Sequence, residues 1–402
     1  DGALHDFALM GIKAQVSLDL KTMMEKKDQV VADLCKGIEA LFAKNKVQKF
    51  TGHAKIIAPN KVLIDDKIQL SASNILIATG SQVAMMPNVS IDEQRIVSST
   101  KALSLAQVPK TMVVIGAGYI GLELGSVWRR LGSQVTVIEY GDCLLPMMDS
   151  EIASHLHKAL EKQGMNFILS TKVNSATMHG EGVKLIAESI IDKSVKEFSA
   201  DIVLVAVGRK PFTQDLGLDD IKVTVDLSGK IIVDSNYRTS VESIFAIGDV
   251  ISGPSLAHKA EEEAIAAVEI MAGQKGHVNY KTIPSVIYTS PEVASVGATE
   301  QDLKKAGIDY KIGKFPFLAN SKARTSLNTQ GFVKILADKH SDLILGAHII
   351  GHEAGILINE ITVGMEFSAS AEDIARTCHP HPTLSEAVRQ AALAVDGKAI
   401  NF

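Results

Sequence analysis

Two groups of residues in this sequence have types and spacings suited to chemistry. The first is Gly116-Ala117-Gly118-Tyr119-Ile120-Gly121-Leu122-Glu123, which follows the apolar run Met112–Ile115 and opens an amphipathic stretch. A second apolar run, Val135–Ile138, ends in Glu139. Strand, glycine-rich turn, helix and strand complete one βαβ unit of about 30 residues. Gly116 permits the tight turn, Gly118 lets the backbone approach a pyrophosphate, and Gly121, with Gly125 a turn later, lets the helix press on the strand. First-turn amides with the helix dipole behind them can then hold a diphosphate. A carboxylate at Glu139 can accept hydrogen bonds from ribose hydroxyls and repels a 2′-phosphate, which favours NAD over NADP. A plain glycine-rich turn and a solvated strand-end Glu are the bland alternatives, and the ordered sequence of features disfavours both.

The second group is Cys378-His379-Pro380-His381-Pro382-Thr383-Leu384-Ser385-Glu386 near the end of the chain. His381 and Glu386 lie across a junction between a loop and a helix predicted from Leu384. Such a pair can act as a dyad, with the carboxylate holding one ring nitrogen while the other takes a proton. Thr383 to Glu386 also matches a capping box, in which the Glu only closes the helix start. One helix start can serve both roles. A metal reading of Cys378, His379 and His381 lacks further ligands at a sensible spacing.

The 402 residues must position these groups. Hydrophobic content of 46%, charged content of 22% and a net charge of −5 describe an ordinary globular chain of two to three domains. No basic tract points to nucleic acid, no apolar run approaches a membrane span, and no signal-peptide pattern is seen. Cys35, Cys143 and Cys378 are scattered, which fits a reducing compartment and excludes a disulfide scaffold.

Along the chain, periodicity predicts a helix over Leu18–Asn45 and strands at Val47–Phe50, Ala54–Ala58, Lys61–Ile64 and Asn74–Ile77. The last runs into Ala78-Thr79-Gly80-Ser81, a turn of small residues. After the connection Pro87–Pro109 and the βαβ unit come a helix over Asp149–Gln163 and a strand over Asp201–Val207 ending at Gly208. Residues 81–211 thus read as an α/β domain with a largely parallel sheet. Strands are next predicted at Ile231–Val233 and Ser243–Ile247, the latter entering Gly248-Asp249 ahead of a helix, Leu256–Met271. Asp249 is either a turn residue or an acceptor for a ribitol chain. From Tyr280 the pattern becomes α+β, with strands at Ser285–Thr289, Val293–Gly297, Tyr310–Phe317, Gly331–Ala337 and Leu343–Ile350. Helices follow at Gly355–Met365 and Ala371–Arg376.

Together these segments resemble the flavin-dependent pyridine nucleotide–disulfide oxidoreductases, and within them the branch that oxidises dihydrolipoamide. The motifs are VVIGAGYIGLELGSVW with Glu139, ILIATGS at 75–81, IFAIGDVISGPSLAHKAEEEA at 244–264, PSVIYTSPEVASVG at 284–297, GKFPFLANSKA at 313–323 and ARTCHPHPTLSEA at 375–387. The resemblance implies a two-dinucleotide-domain α/β flavoprotein with a C-terminal α+β dimerisation domain. The implied partition is a partial FAD-binding and central domain at 1–80 and 212–279, an NAD domain at 81–211 and an interface domain at 280–402. FAD would be touched by Ala54, Thr79, Gly80, Ser81, Asp249, Ser255, Leu256, Ala257 and His258. NAD would lie along Gly116–Glu123, Glu139, Val173 and Gly208, with Tyr119 placed to gate the nicotinamide. His381, oriented by Glu386, would take the proton of dihydrolipoamide and serve the flavin of a second subunit in a homodimer. The implied partners are the lipoyl domains and core of a 2-oxo acid dehydrogenase complex, in a bacterial cytoplasm or a mitochondrial matrix, with neither nucleic acid nor membrane.

The family pattern begins with a flavin-binding βαβ unit and two redox cysteines at C-x4-C spacing, and the 402 residues contain neither. A truncated sequence is the expected cause, and the chain by itself is expected to be inactive. An NADPH-dependent disulfide reductase of the same architecture, or an inactive NAD-binding remnant, are the alternative readings.

Overall fold

The strand Thr111–Ile115, five residues of which four are fully buried, lies inside a five-stranded sheet of the computed structural model, which describes residues 7–401. β-branched and apolar residues without alternation suit a strand covered on both faces. The sheet order is Ile96–Val97, Ile202–Val205, Thr111–Ile115, Gln134–Ile138 and Asn166–Ile168, with every pairing parallel. Val114 faces Leu204 on one side and Val137 on the other. The chain therefore steps outward from Thr111–Ile115 in one direction and returns on its other side. In such sheets that reversal of strand order marks the ligand crevice, at the carboxyl ends of the strands.

The return does not pass through a helix. Strands Thr171–His179, Gly182–Ser189 and Val195–Ala200 form an antiparallel meander instead. Its Val183, Leu185 and Ala187 share a core with Val113, Ile115, Ile138 and Val203. Residues 85–207 and 279–402, with the described residues up to 18, form one compact unit. Residues 19–84 and 208–278 form the other.

In the first unit, the C-terminal segment makes a five-stranded antiparallel sheet. Its order is Ser285–Ile287, Glu292–Gly297, Ile344–Gly351, Phe332–Asp338 and Tyr310–Pro316. Helices Ala354–Glu366 and Glu386–Ala394 bury Leu357, Ile358, Ile361, Val388 and Ala391 in one core with that sheet. The helix predicted from Leu384 starts two residues later, because the Glu386 side chain turns back to the preceding loop.

In the second unit, Ile75–Ile77 pairs in parallel with Ile244–Ala246, and Ser81–Val83 pairs antiparallel with Arg209–Pro211. Strands Ala54–Ala58, Lys61–Ile64 and Ile68–Ser71 form a small antiparallel sheet. The helix Leu20–Lys44 starts on an Asp19 cap and buries none of its residues. Two expected strands are absent among the described residues. Val47–Phe50 is exposed and has no neighbouring strand to pair with, and Ile231 makes only an isolated bridge to Val225. Ile231 is apolar because it belongs to the core with Phe245 and Val250, not because it joins a ladder.

One buried cation ties distant parts of the first unit together. Lys334 Nζ lies 3.0 and 3.1 Å from the two Asp149 oxygens, 2.7 Å from Glu300 Oε2 and 3.3 Å from Glu151 Oε2. Lys334 and Asp149 are fully buried, and Asp149 also caps the helix Ser150–Lys162 through the Glu151 N–H. Burial alone would push the Lys334 ammonium down, but Glu300 and Asp149 hold it up. Glu300, bonded by Lys304 and Lys334, is pulled down to about 2. Nearby His348 is pushed down by burial; its Nε2 donates to the Ala298 carbonyl and its Nδ1 accepts from Ser295.

Removing the ammonium while leaving its carboxylates breaks a buried pair. We expect Lys334→Met to lower unfolding free energy by about 3–5 kcal/mol in urea titration; a loss under about 1 kcal/mol would contradict a stabilising role. The Glu300 contribution is present above the ordinary value of 4.5 and is lost as pH falls toward about 2. Lys334→Met should flatten stability across that window.

Candidate functional site

At the crevice, Gly116 leaves the central strand with φ +104°, and a Cβ there would lie 2.5 Å from the Ala206 carbonyl oxygen at the neighbouring strand end. Gly121, one helical turn on, would place a Cβ 2.3 Å from the Gly116 carbonyl oxygen and 3.1 Å from Val114. Both positions exclude any side chain because backbone already occupies the space. Gly118 differs: nothing lies within 4 Å of its Cβ position. It is the cap residue of the helix Tyr119–Arg130 and offers no side chain to its amides. The helix start therefore opens onto free space at its cap residue, the arrangement that suits a diphosphate. Arg129 and Arg130 close the far end of the helix dipole.

Glu139 reaches back to this turn. Its Oε2 accepts from Ala117 N–H at 2.6 Å and its Oε1 from Gly141 N–H at 2.7 Å. The carboxylate thus sits beside the glycine turn with lone pairs left for further donors. Glu123, on the same helix, accepts from the Tyr288 N–H at 2.8 Å, and burial pushes its carboxyl up against the opposing effect of that bond. Val173 is fully buried in the core of the meander, so its side chain is closed to a ligand. Gly208 falls in the other unit, at φ +125°, where its carbonyl accepts from Ala84.

In that second unit, the ends of Ile75–Ile77 and Ile244–Ala246 bring two turns side by side. Ser81 Oγ donates a short hydrogen bond to Asp249 Oδ2 and accepts from Arg209 Nε at 2.7 Å. Thr79 Oγ1 donates to the Phe212 carbonyl at 2.6 Å, and Gly80 leaves its Cβ position open. Beneath Asp249 lies a fully buried ion pair, Lys259 Nζ to Glu263 Oε1 at 3.0 Å. Lys259 also donates to the Gly248 carbonyl at 3.1 Å, while Glu263 Oε2 accepts the Gly248 N–H at 2.8 Å. Leu256, Ala257 and His258 open the helix Ala257–Met271, which has no side-chain cap, and Ser255 precedes it. Ala54 begins a strand of the small antiparallel sheet, opposite Ile64. An acceptor carboxylate on a fixed turn beside an uncapped helix start suits a polyol-bearing, anionic group.

The structure brings the two C-terminal residues together. His381 Nδ1 lies 2.9 Å from Glu386 Oε1, and Glu386 Oε2 accepts the Thr383 N–H at 2.9 Å. An ionised carboxylate only accepts, so Nδ1 carries the proton and Nε2 presents its lone pair. The ring is 69% exposed while the carboxylate is largely covered. Burial works to raise the Glu386 carboxyl, but the Thr383 N–H, the His381 ring and nearby His379 together hold it below its ordinary value. Of the capping box only the Glu half forms, since Thr383 Oγ1 donates to the Pro380 carbonyl instead. A charged, oriented acceptor behind an exposed imidazole is the arrangement that a general base requires. Cys35, Cys143 and Cys378 are all exposed and free.

Residues 6–264 match the family described as pyridine nucleotide-disulphide oxidoreductase, and residues 283–392 match its dimerisation domain. The chain belongs to the pyridine nucleotide-disulphide oxidoreductase family. It is 50% identical to the mitochondrial dihydrolipoyl dehydrogenase of Pisum sativum, covering all of this chain and 81% of that protein. It is 52% identical to dihydrolipoyl dehydrogenase 3 of Pseudomonas putida, over 99% of this chain and 86% of that one. Among solved structures, LpdA of Mycobacterium tuberculosis superposes with a TM-score of 0.89 at 24% identity, covering 97% of this chain and 85% of the other. That likeness concerns the fold.

Several residues that hold these turns in place were not singled out by sequence reasoning. Lys259 and Glu263 carried one usable signal, opposite charges four apart on a helix. Arg209 carried none, because its partner Ser81 is 128 residues away. Gly121 allows a direct test of the close backbone approach that the family turn requires. Alanine gains about 1 kcal/mol of helix propensity, yet its methyl would meet a backbone carbonyl. We expect Gly121→Ala to lower the urea midpoint with an unchanged slope. A more stable Gly121→Ala protein would show that the helix does not press on the turn as described.

Proposed function

We propose that this chain is a dihydrolipoyl dehydrogenase, which oxidises protein-bound dihydrolipoamide with NAD. The carrying observation is the His381–Glu386 pair, an exposed imidazole backed by a carboxylate that is itself fixed by the Thr383 N–H. Identity of about half over the whole chain to curated dihydrolipoyl dehydrogenases supports the assignment. FAD and NAD, when bound, supply the hydride chemistry that side chains cannot.

The residues divide that work. Gly118 and the helix start behind it would present backbone amides to the NAD diphosphate, with Ala117 held by Glu139, and with Tyr119, Ile120, Gly121 and Leu122 forming the first turn. Glu139 would accept the adenine ribose hydroxyls. Val173 would contribute only its backbone. Tyr119 is partly exposed at the helix start, where it can cover a nicotinamide. Asp249, Thr79, Gly80, Ser81 and Ser255–His258 would hold the polyol and ring side of FAD, with Ala54 at the periphery. At His381, Nε2 takes the thiol proton of dihydrolipoamide, and Glu386 stabilises the imidazolium that results. The thiolate so formed is the nucleophile. The dimerisation domain supports a homodimer, and the exposed His381 would serve the site of the second subunit. Lipoyl domains and the core of a 2-oxo acid dehydrogenase complex are the matching partners.

Nucleotide choice tests the first assignment. Glu139→Arg exchanges a ribose acceptor for a phosphate partner, so NAD should weaken and NADP strengthen by about 1–3 kcal/mol each. Isothermal titration with both nucleotides measures it, and retained NAD preference would sink the role of Glu139. Gly118→Ala should fold normally, because its Cβ position is open, but lose NAD affinity.

Turnover tests the second. In an enzyme that carries FAD and a redox disulfide, we expect His381→Gln to slow dihydrolipoamide oxidation by about 10²–10⁴. Glu386→Gln should keep the Thr383 bond yet lose the charge that stabilises the imidazolium. Full activity in a folded Glu386→Gln enzyme would leave the carboxylate a purely structural group.

A further inference from the structure

Two residues before His381, His379 has a very different setting. Its side chain is only 4% exposed. Nδ1 lies 2.9 Å from the Thr377 carbonyl oxygen, and Nε2 lies 2.5 Å from Glu360 Oε1. A carbonyl can only accept, so Nδ1 carries a proton and donates it to Thr377, while Nε2 is taken up by the Glu360 carboxyl group. Both ring nitrogens are thereby engaged, and the ring is held at two points.

Both anchors are rigid. Glu360 belongs to the helix Ala354–Glu366, whose Leu357, Ile358 and Ile361 are embedded in the C-terminal core. Thr377 closes the helix Ala371–Arg376, donating from both its N–H and its hydroxyl to the Asp373 carbonyl. The loop between Thr377 and Thr383 is further held by Asn320 Nδ2, which donates to the Thr383 carbonyl at 2.9 Å. The titratable groups facing His379 are Glu360 on one helix, Glu386 on the next and His381 on its own loop.

We propose that His379 and Glu360 form a positioning pair for the His381 base. The pair fastens the loop to the core helix and so fixes where the His381 ring stands against Glu386. This inference rests on His381 being the proton acceptor. His379 is not itself a second base, because its side chain is covered and both of its ring nitrogens are engaged.

The test uses Glu360→Gln, nearly the same shape without the charge, with His379→Gln and His381→Gln as companions in the dimeric holoenzyme. Loosening the loop should displace the His381 ring from the thiol, so Glu360→Gln should lose kcat for dihydrolipoamide oxidation several-fold. Oxidation of NADH by a one-electron acceptor such as ferricyanide, which needs no base at His381, should be unchanged. His379→Gln should show the same split, since either change breaks the one contact. A folded Glu360→Gln enzyme with undiminished dihydrolipoamide turnover overturns the proposal, even if its melting temperature drops. So does an equal loss of both activities, the mark of a structural contact alone. If His379→Gln fails to fold, Glu360→Gln still decides. Undiminished turnover in His381→Gln would overturn the base assignment instead, which separates the two failures.

Discussion

A lysine ammonium cannot be taken out of water unless acceptors surround it, and the burial of Lys334 imposes that condition on three stretches of chain at once. Asp149 precedes the helix after the nucleotide-type βαβ unit, Glu300 opens the helix Glu300–Ala306, and Lys334 stands in mid-strand of the C-terminal sheet. None of them can relax independently, because each vacated partner would leave a desolvated charge. The consequence is that residues 85–207 and 279–402 fold as one unit despite the intervening 71 residues, 208–278. The helix carrying Glu123 is bonded into that same arrangement through the Tyr288 N–H.

Carboxylates with double duty recur at each functional turn. Glu139 holds the Ala117 and Gly141 amides, Glu386 holds the Thr383 amide and the His381 ring, and Glu263 holds the Gly248 amide and the Lys259 ammonium. In each case a backbone N–H fixes the acid; Glu139 and Glu386 keep oxygen capacity for a further partner, while Glu263 is buried with Lys259. Geometry of this kind positions a charged group without a separate scaffold, since the turn and the acid determine one another.

What was legible in the sequence was local. Gly116, Gly118, Gly121 and Glu139 lie within one βαβ unit, and His381 and Glu386 lie five residues apart, so spacing alone brought them together. The inner parallel strands Thr111–Ile115, Gln134–Ile138 and Ile202–Val205 were legible because they are largely apolar, whereas the short edge strand Ile96–Val97 lay inside what read as a connection. Lys334 and Asp149 are 185 residues apart, and nothing in a single lysine announces that it will be buried. Arg209 with Ser81 is hidden for the same reason. His379 entered the sequence reading only as a candidate metal ligand with Cys378 and His381, since its partner Glu360 sits on another helix. Val47–Phe50 misled because strand propensity does nothing without an adjacent edge to pair with.

The three-stranded meander that replaces a crossover helix has a consequence for how the protein can vary. Its hairpin tips, around Gly180-Glu181 and residues 191–194, are exposed, while its inner face is sealed against the sheet. Chain added at those tips would lengthen a loop without disturbing a ladder, and loop length is thermodynamically inexpensive. They are natural places for lineage-specific insertions, or for a fluorescent or affinity handle, at the ends of strands whose ladders run to one another.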